Sequence, residues 1–281
     1  MNREEIQQII PHREPFVLVD GIVELDRGKS ALGIVNDVAA YDFFTQARKR
    51  QRSADGLILV DSVRLDSRAA TAEGVIEDVS ELRPFFVGHF PETPILPGVL
   101  TLEALAEVAH CFLLQSGPFR HGAFLQRIDG FRFRRVVVPG DRVELRAEQT
   151  GPGVVRSAAT VNGSVAAEGR LTFVPGSPKG FLSPGESALL GQATAPGALI
   201  IEALAEVGAV AVLSGAKQEG RIAVLAGVDK WEFHAPVPVG RRLTLRASLV
   251  ESRRSFGKGH FTATSEDGRV ADGYLVFGLR D

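Results

Sequence analysis

Two stretches of this chain are almost the same, and both are apolar on every side. Pro97-Gly98-Val99-Leu100-Thr101-Leu102-Glu103-Ala104-Leu105-Ala106-Glu107-Val108 is matched position by position by Pro196-Gly197-Ala198-Leu199-Ile200-Ile201-Glu202-Ala203-Leu204-Ala205-Glu206-Val207. A Pro-Gly pair suits the first turn of a helix, whose N–H groups have no intrahelical partner. A helix with one apolar stripe needs a single covered face, but one that is apolar all round must be wrapped on all sides. The chain therefore has to supply two separate wrappings. Glu103 and Glu202, set inside these runs, are the first candidates for chemistry.

The repeat extends beyond the helices. Leu59-Val60-Asp61-Ser62-Val63 echoes Leu18-Val19-Asp20-Gly21-Ile22, and Glu77-Asp78-Val79 through Phe86 echoes Asn36-Asp37-Val38 through Phe44. Downstream, Ile128-Asp129-Gly130-Phe131-Arg132-Phe133 matches Val228-Asp229-Lys230-Trp231-Glu232-Phe233, and both blocks run on into Leu-Arg-Ala, at Leu145 and Leu245. Repeats outrank other signals in reading a fold. Their order is N-half, N-half, C-half, C-half, which predicts nesting: residues 56–174 form an inserted unit, and 1–46 plus 180–281 form a discontinuous outer one. Insertion at an exposed loop tip is well tolerated. The basic, aperiodic stretch Arg48 to Gly56 reads as a solvated linker. Pro175 to Gly180, followed by Phe181 to Ala195, carries the chain back to the outer unit. Short strands are expected at Ile22–Leu25 and Ala31–Val38, after a short amphipathic helix from Glu4 to Ile10.

The 281 residues suffice for about two domains. The formal net charge of −2 argues against a nucleic-acid-binding field. Cys111 is the sole cysteine, which excludes an intrachain disulfide and fits a reducing compartment. The N-terminus does not lead into a signal-peptide apolar region, and the run Gly197 to Leu213 is short for a membrane span and carries two glutamates. The expectation is a cytoplasmic protein without membrane or nucleic-acid partners.

The stretch before the first of the two helices is distinctive. Gly88-His89-Phe90-Pro91-Glu92-Thr93-Pro94-Ile95-Leu96-Pro97-Gly98-Val99-Leu100, continuing to Glu103-Ala104 and Ala106, resembles the signature of FabZ-type 3-hydroxyacyl-acyl-carrier-protein dehydratases. Pro11-His12-Arg13-Glu14-Pro15-Phe16-Val17-Leu18-Val19-Asp20 resembles the N-terminus of that family. The resemblance implies an α+β hot-dog fold, a curved antiparallel sheet around one long apolar helix, here present twice as a double hot dog packed like a dimer. In the family a histidine and a helix glutamate meet from two subunits. Where this chain has Glu107 the family usually has Gln.

Only the inserted copy carries the histidine. The resemblance therefore implies one working site, pairing His89 with Glu202 of the outer copy, and a vestigial one holding Glu103, with Ala47 or a linker residue in place of histidine. The implied reaction removes water from a 3-hydroxyacyl thioester. His89 is the base for the C2 proton, since a neutral imidazole suits that task near pH 7. The N–H of Gly98, at a helix N-terminus, can stabilise charge on the thioester oxygen. Glu202, desolvated on its apolar helix, supplies the acid for the leaving hydroxyl. Phe90 and Pro97 are assigned to substrate binding. Arg132, Arg134 and Arg135 are expected to dock an acidic acyl carrier protein bearing a phosphopantetheine-linked chain.

No metal or organic cofactor is expected, because no His/Cys ligand spacing suggests one. His12, His110 and His121 are read as structural, and His234 and His260 have no obvious partner in the sequence. Two other readings stand beside the dehydratase: a non-catalytic acyl-thioester-binding protein, and an acyl-CoA hydratase or thioesterase. Glutamate rather than aspartate on the helix resembles the non-isomerising branch of the family.

Overall fold

The computed structural model describes residues 1–14, 16–36, 59–115, 117–120, 122–175, 197–215, 221–235, 237, 241–253 and 255–280, with backbone alone for 81, 83 and 84. The linker at 48–56, Ala47, His121 and the return segment 176–195 lie outside these residues.

The two repeated stretches are helices. Counting described helices from a short N-terminal α1 (Arg3–Gln7) and a one-turn α2 (Arg83–Phe86), they are α3 (Gly98–Leu113) and α4 (Gly197–Leu213). Every residue of α4 is buried, as is nearly every residue of α3. Among the described residues, what wraps them is a single antiparallel sheet of twelve strands: β1 (Gly21–Asp26), β2 (Ser30–Val35), β3 (Ser62–Asp66), β4 (Thr71–Ile76), β5 (Ala123–Phe133), β6 (Val143–Gly151), β7 (Val154–Val161), β8 (Ser164–Pro175), β9 (Ile222–Phe233), β10 (Leu243–Ser252), β11 (Phe256–Ser265) and β12 (Gly268–Arg280). Alternate residues of β2 and β11 are buried, as expected when one face of a sheet lies on a helix.

The strand order is β1-β2-β10-β11-β12-β9-β5-β8-β7-β6-β4-β3. Each half of this list has the same topology. The hairpin β1–β2 pairs with β10, with Leu32 opposite Arg246, and so joins strands that follow α4 rather than its sequence neighbours. The hairpin β3–β4 pairs with β6 in the same manner, with Gly74 opposite Leu145. The result is the double hot-dog fold. The halves join edge to edge where β5 meets β9, through pairs such as Ile128 with Trp231 and Arg132 with Gly227.

Pseudo-symmetry reaches the packing. A Cβ on Gly33 would come within 2.6 Å of Val207, and one on Gly74 within 2.5 Å of Val108, so glycine lets each helix lie close against its sheet. Glu206 accepts the N–H groups of Leu18 and Val19 at 3.0–3.1 Å, and Glu107 accepts those of Leu59 and Val60 at 3.1–3.3 Å. Each carboxylate ties its helix to the segment entering the first strand of its half. Among the described residues, no helix is long and apolar enough to cross a membrane.

Candidate active site

The loop from Gly88 to Pro97 is folded on itself. Ile95 N–H donates to the His89 carbonyl at 3.1 Å, and His89 Nδ1 lies 3.0 Å from the Ile95 carbonyl. A carbonyl can only accept, so Nδ1 carries the proton and Nε2 keeps a free lone pair. Phe90 stacks on the imidazole with ring centroids 4.2 Å apart, and Phe16 meets it edge-on at 5.4 Å. The ring is thus fixed by one hydrogen bond and two aromatic contacts.

The free nitrogen faces the other half of the molecule. Glu202, in the second turn of α4, places Oε1 3.8 Å from His89 Nε2, and both side chains are buried. Glu103, although buried in the matching position of α3, does not line this cavity. The residue expected to face Glu103 across the mirror site, Ala47, is outside the described residues.

One neighbour departs from the sequence reading. His12, read there as structural, stands inside the site with Nε2 3.4 Å from Glu202 Oε1 and its ring 5.0 Å from that of His89. Two contacts bring it there. Arg13 N–H donates to the Gly88 carbonyl at 2.9 Å, and Glu206 holds Leu18 and Val19 a little further along the same segment. Gly88 permits the approach, since a Cβ there would sit 1.9 Å from the Arg13 carbonyl oxygen. His12 has a sequence signal of the same kind as His89. The register that sets Leu18 against Leu59 puts Ser53 opposite it, so each histidine exists in one copy only.

Burial controls the electrostatics. It lowers the His12 pKa to about 3, helped by the Arg13 charge. His89 is lowered to about 4, chiefly by burial and next by His12, with Glu202 pulling the other way. Burial raises the Glu202 carboxyl above its usual range, partly offset by His89. At neutral pH both imidazoles are neutral, and the carboxyl is displaced toward its protonated form.

A cavity opens from this group. Gly98, at the start of α3, forms part of its wall with Phe90, Thr101, Phe133 and Val137. The far side comes from the outer half: Ala205, Ala209, Leu225 and Phe277. Gly98 packs against the Phe133 ring, which a Cβ would meet at 3.1 Å. Its N–H belongs to the unpaired first turn of α3. The expected binding residue Pro97 is not in the wall; it is the N-cap of α3, and its carbonyl accepts Leu100 N–H at 2.9 Å.

The three arginines fall on two surfaces, with Arg134 shared between them. Arg134 and Arg135 line the cavity together with Arg280, which the sequence reading missed. Arg134 is paired with Glu168 at 2.6 Å and Arg135 with Asp141 at 3.2 Å, so neither is the bare cation the sequence suggested. Arg132 is exposed on the outer face of the sheet, in a groove that Arg134 also lines and where Arg146, Arg156 and Arg170 are interleaved with Asp129, Glu148 and Glu168.

The remaining histidines are placed as follows. His110 Nδ1 is buried 3.0 Å from the Ala123 carbonyl, away from the cavity. His234 and His260 do have a partner: Asp272 lies 2.5 Å from the first and 3.3 Å from the second. The sequence could not show this, because β9, β11 and β12 bring the three together only on pairing. His12, His89 and Glu202, which have no metal-ligand spacing in the sequence, offer three ligand atoms within 4.8 Å of one another in the fold.

Residues 66–169 match the model of the ApeI dehydratase (ApeI-like) family, and residues 200–271 that of the thioesterase superfamily. The chain is 37% identical over 184 residues to the 3-hydroxyacyl-[acyl-carrier-protein] dehydratase FabZ of Bacillus thuringiensis (strain Al Hakam), an alignment spanning 64% of this chain and 99% of that protein. The FabZ of Bacillus cereus (strain B4264) matches to the same extent. Among solved structures, an inactive mutant of the CurJ dehydratase superposes with a TM-score of 0.56 at 10% identity, covering 79% of this chain and 96% of that one. The dehydratase domain of RzxB from Pseudomonas fluorescens gives 0.53 at 12% identity, with 78% and 98% covered. At such identities the solved structures establish the fold alone; with the curated relatives covered almost end to end at 37% identity, the chain belongs to the FabZ family of 3-hydroxyacyl-[acyl-carrier-protein] dehydratases.

Proposed function

We propose that the chain converts 3-hydroxyacyl-acyl-carrier-protein thioesters into trans-2-enoyl thioesters, in fatty-acid or polyketide-type synthesis, at one site between its two halves. The observation that carries this is the approach of His89 Nε2 to Glu202 Oε1, 3.8 Å apart in the wall of a cavity. His89, its Nδ1–H directed at Ile95, takes the C2 proton on Nε2. Charge moving onto the thioester oxygen is met by the Gly98 N–H at the positive end of α3. The C3–O bond breaks as Glu202 gives its proton to the departing hydroxyl, leaving a C2=C3 double bond and one water. His89 then carries the proton that Glu202 has lost. Transfer across the short gap between them restores both groups, so no outside proton is consumed. His12 is a positioning residue here, packed against Glu202 and against the rings of His89 and Phe90.

The same reading assigns residues 56–174 to an inserted unit and 1–46 plus 180–281 to an outer one; the pairing of β2 with β10 supports it. Arg134, Arg135 and Arg280 at the cavity suit the phosphate of a phosphopantetheine arm, with Arg132 on the neighbouring carrier-protein surface. A cytoplasmic location accords with a single cysteine. The test is incubation of the full chain with a 3-hydroxyacyl-carrier protein and mass spectrometry of the acyl group. Loss of 18 mass units, the mass of the water removed, supports the assignment. Retained binding without turnover would favour a non-catalytic acyl-thioester-binding protein, and free acid would identify a thioesterase.

A further inference from the structure

His12 presents a problem that dehydration does not solve. It is buried, 4% exposed, yet among the described residues neither ring nitrogen has a hydrogen-bond partner. Buried polar atoms without partners are rare, and each calls for an explanation such as a bound water or ion. The contact with Glu202 is close enough for an ion pair but not aligned as a hydrogen bond.

We propose that His12, His89 and Glu202 form a binding site for one Zn²⁺ ion, and that the ion, when bound, shuts the dehydratase down. Two imidazoles and one carboxylate are a donor set characteristic of zinc sites that keep a fourth position open. Bond lengths of about 2.0–2.1 Å in a tetrahedron place ligand atoms about 3.3–3.5 Å apart. Here Glu202 Oε1 lies 3.4 Å from one Nε2 and 3.8 Å from the other, and all three atoms fall within 4.8 Å. Small side-chain rotations close the remaining gap. The hydrogen bond from His89 Nδ1 to the Ile95 carbonyl matches the outer support that metal-bound histidines carry, fixing the tautomer that offers Nε2. The fourth position opens into the cavity, where a water completes the shell.

Occupation and catalysis exclude one another. The lone pair of His89 that would take the C2 proton becomes the metal bond, and Glu202 bound to Zn²⁺ cannot hold the proton for the leaving hydroxyl. The inhibition rests on the dehydratase reading; the binding does not. Glu202 and His12 come from the outer half and His89 from the inserted half, so the ion also ties the halves together.

The test uses the full chain dialysed against a chelator and then exposed to Zn²⁺ alone, with bound metal counted by mass spectrometry and affinity read by competition with a zinc indicator. One ion per chain is expected. His12→Gln and His89→Gln should each weaken binding by more than the roughly 10-fold that loss of an outer partner costs. His260→Asn, which takes one ligand from the His234–His260–Asp272 group, should leave binding unchanged. Co²⁺ in place of zinc should give the visible absorption of a tetrahedral site, and circular dichroism checks that each variant is folded. Absent binding, binding insensitive to both His12→Gln and His89→Gln, or binding lost in His260→Asn would overturn the site. Zinc bound with undiminished turnover would overturn the inhibition. A metal-free chain that never turns over would instead sink the dehydratase reading and leave the binding result standing.

Discussion

Glu202→Gln separates a catalytic carboxyl from a merely buried one. The substitution keeps the volume and planarity of the side chain, so the cavity and the helix packing should survive. What is lost is a proton that can be donated and recovered. Glu202 is only 4% exposed, so bulk water cannot take its place as the acid. Loss of a positioned general acid or base costs about 10²–10⁴ in rate, equivalent to about 3–5 kcal/mol of barrier. Because the interaction is made at the leaving hydroxyl, kcat and kcat/KM should fall together while substrate binding persists. The assay is conversion of a 3-hydroxyacyl-carrier protein to the enoyl product, followed by mass spectrometry under single-turnover and steady-state conditions. Glu103→Gln is the internal control: the side chain sits at the same place on a matching helix but not in the cavity, and turnover should be nearly unchanged. If Glu103→Gln abolishes turnover and Glu202→Gln does not, the pairing across the two halves is wrong. A Glu202→Gln variant that raises KM without lowering kcat would refute the assignment as acid.

His89→Ala should abolish dehydration while the thermal transition survives, since the ring is held by its own loop and the helices are packed by other residues; wild-type turnover would sink its role. The acid limb of kcat/KM, measured on chelator-treated protein, should lie near pH 4 rather than near 6.5, because burial keeps His89 neutral through the range in which an exposed histidine gains its proton. Arg134→Glu should raise KM for the carrier-protein substrate and leave a short pantetheine thioester unaffected; equal loss on both would indicate a structural role. Burial raises the Glu206 carboxyl well above its usual range, so the folded chain holds a proton that the unfolded chain has released. Stability contributed by this group is present below about pH 4.5 and declines as pH rises, by up to about 1.4 kcal/mol per unit; denaturant unfolding of Glu206→Gln should show a shallower decline, and an identical slope would disprove it.

Much of the fold was legible because it is written twice. The near-identity of α3 and α4 marked both helices, and the absence of a second histidine loop singled out His89 and pointed to Glu202 rather than Glu103. What was not legible depends on three-dimensional neighbours. His12 lies 77 residues from His89 in sequence, and the two rings come together through folded-state contacts such as that of Arg13 with Gly88. Glu107 looked like a departure from the family's glutamine; its task, shared by Glu206, of receiving two amides from a preceding segment becomes visible only when that segment is wrapped over the helix. Arg134 looked like a free cation because the sequence cannot show that Glu168, on the paired strand, is waiting for it.

The edge-to-edge union of β5 with β9 has a consequence for how the protein behaves on dilution. Where a site is assembled from two separate subunits, its population falls with concentration and every change in one half is copied into the other. Here both contributors to the site travel on one chain, so one half is always present to the other at a fixed effective concentration. Specific activity should not depend on protein concentration. Each half is also free to accept substitutions that its counterpart could not share, and the histidines carried singly by the two copies are the record of that freedom.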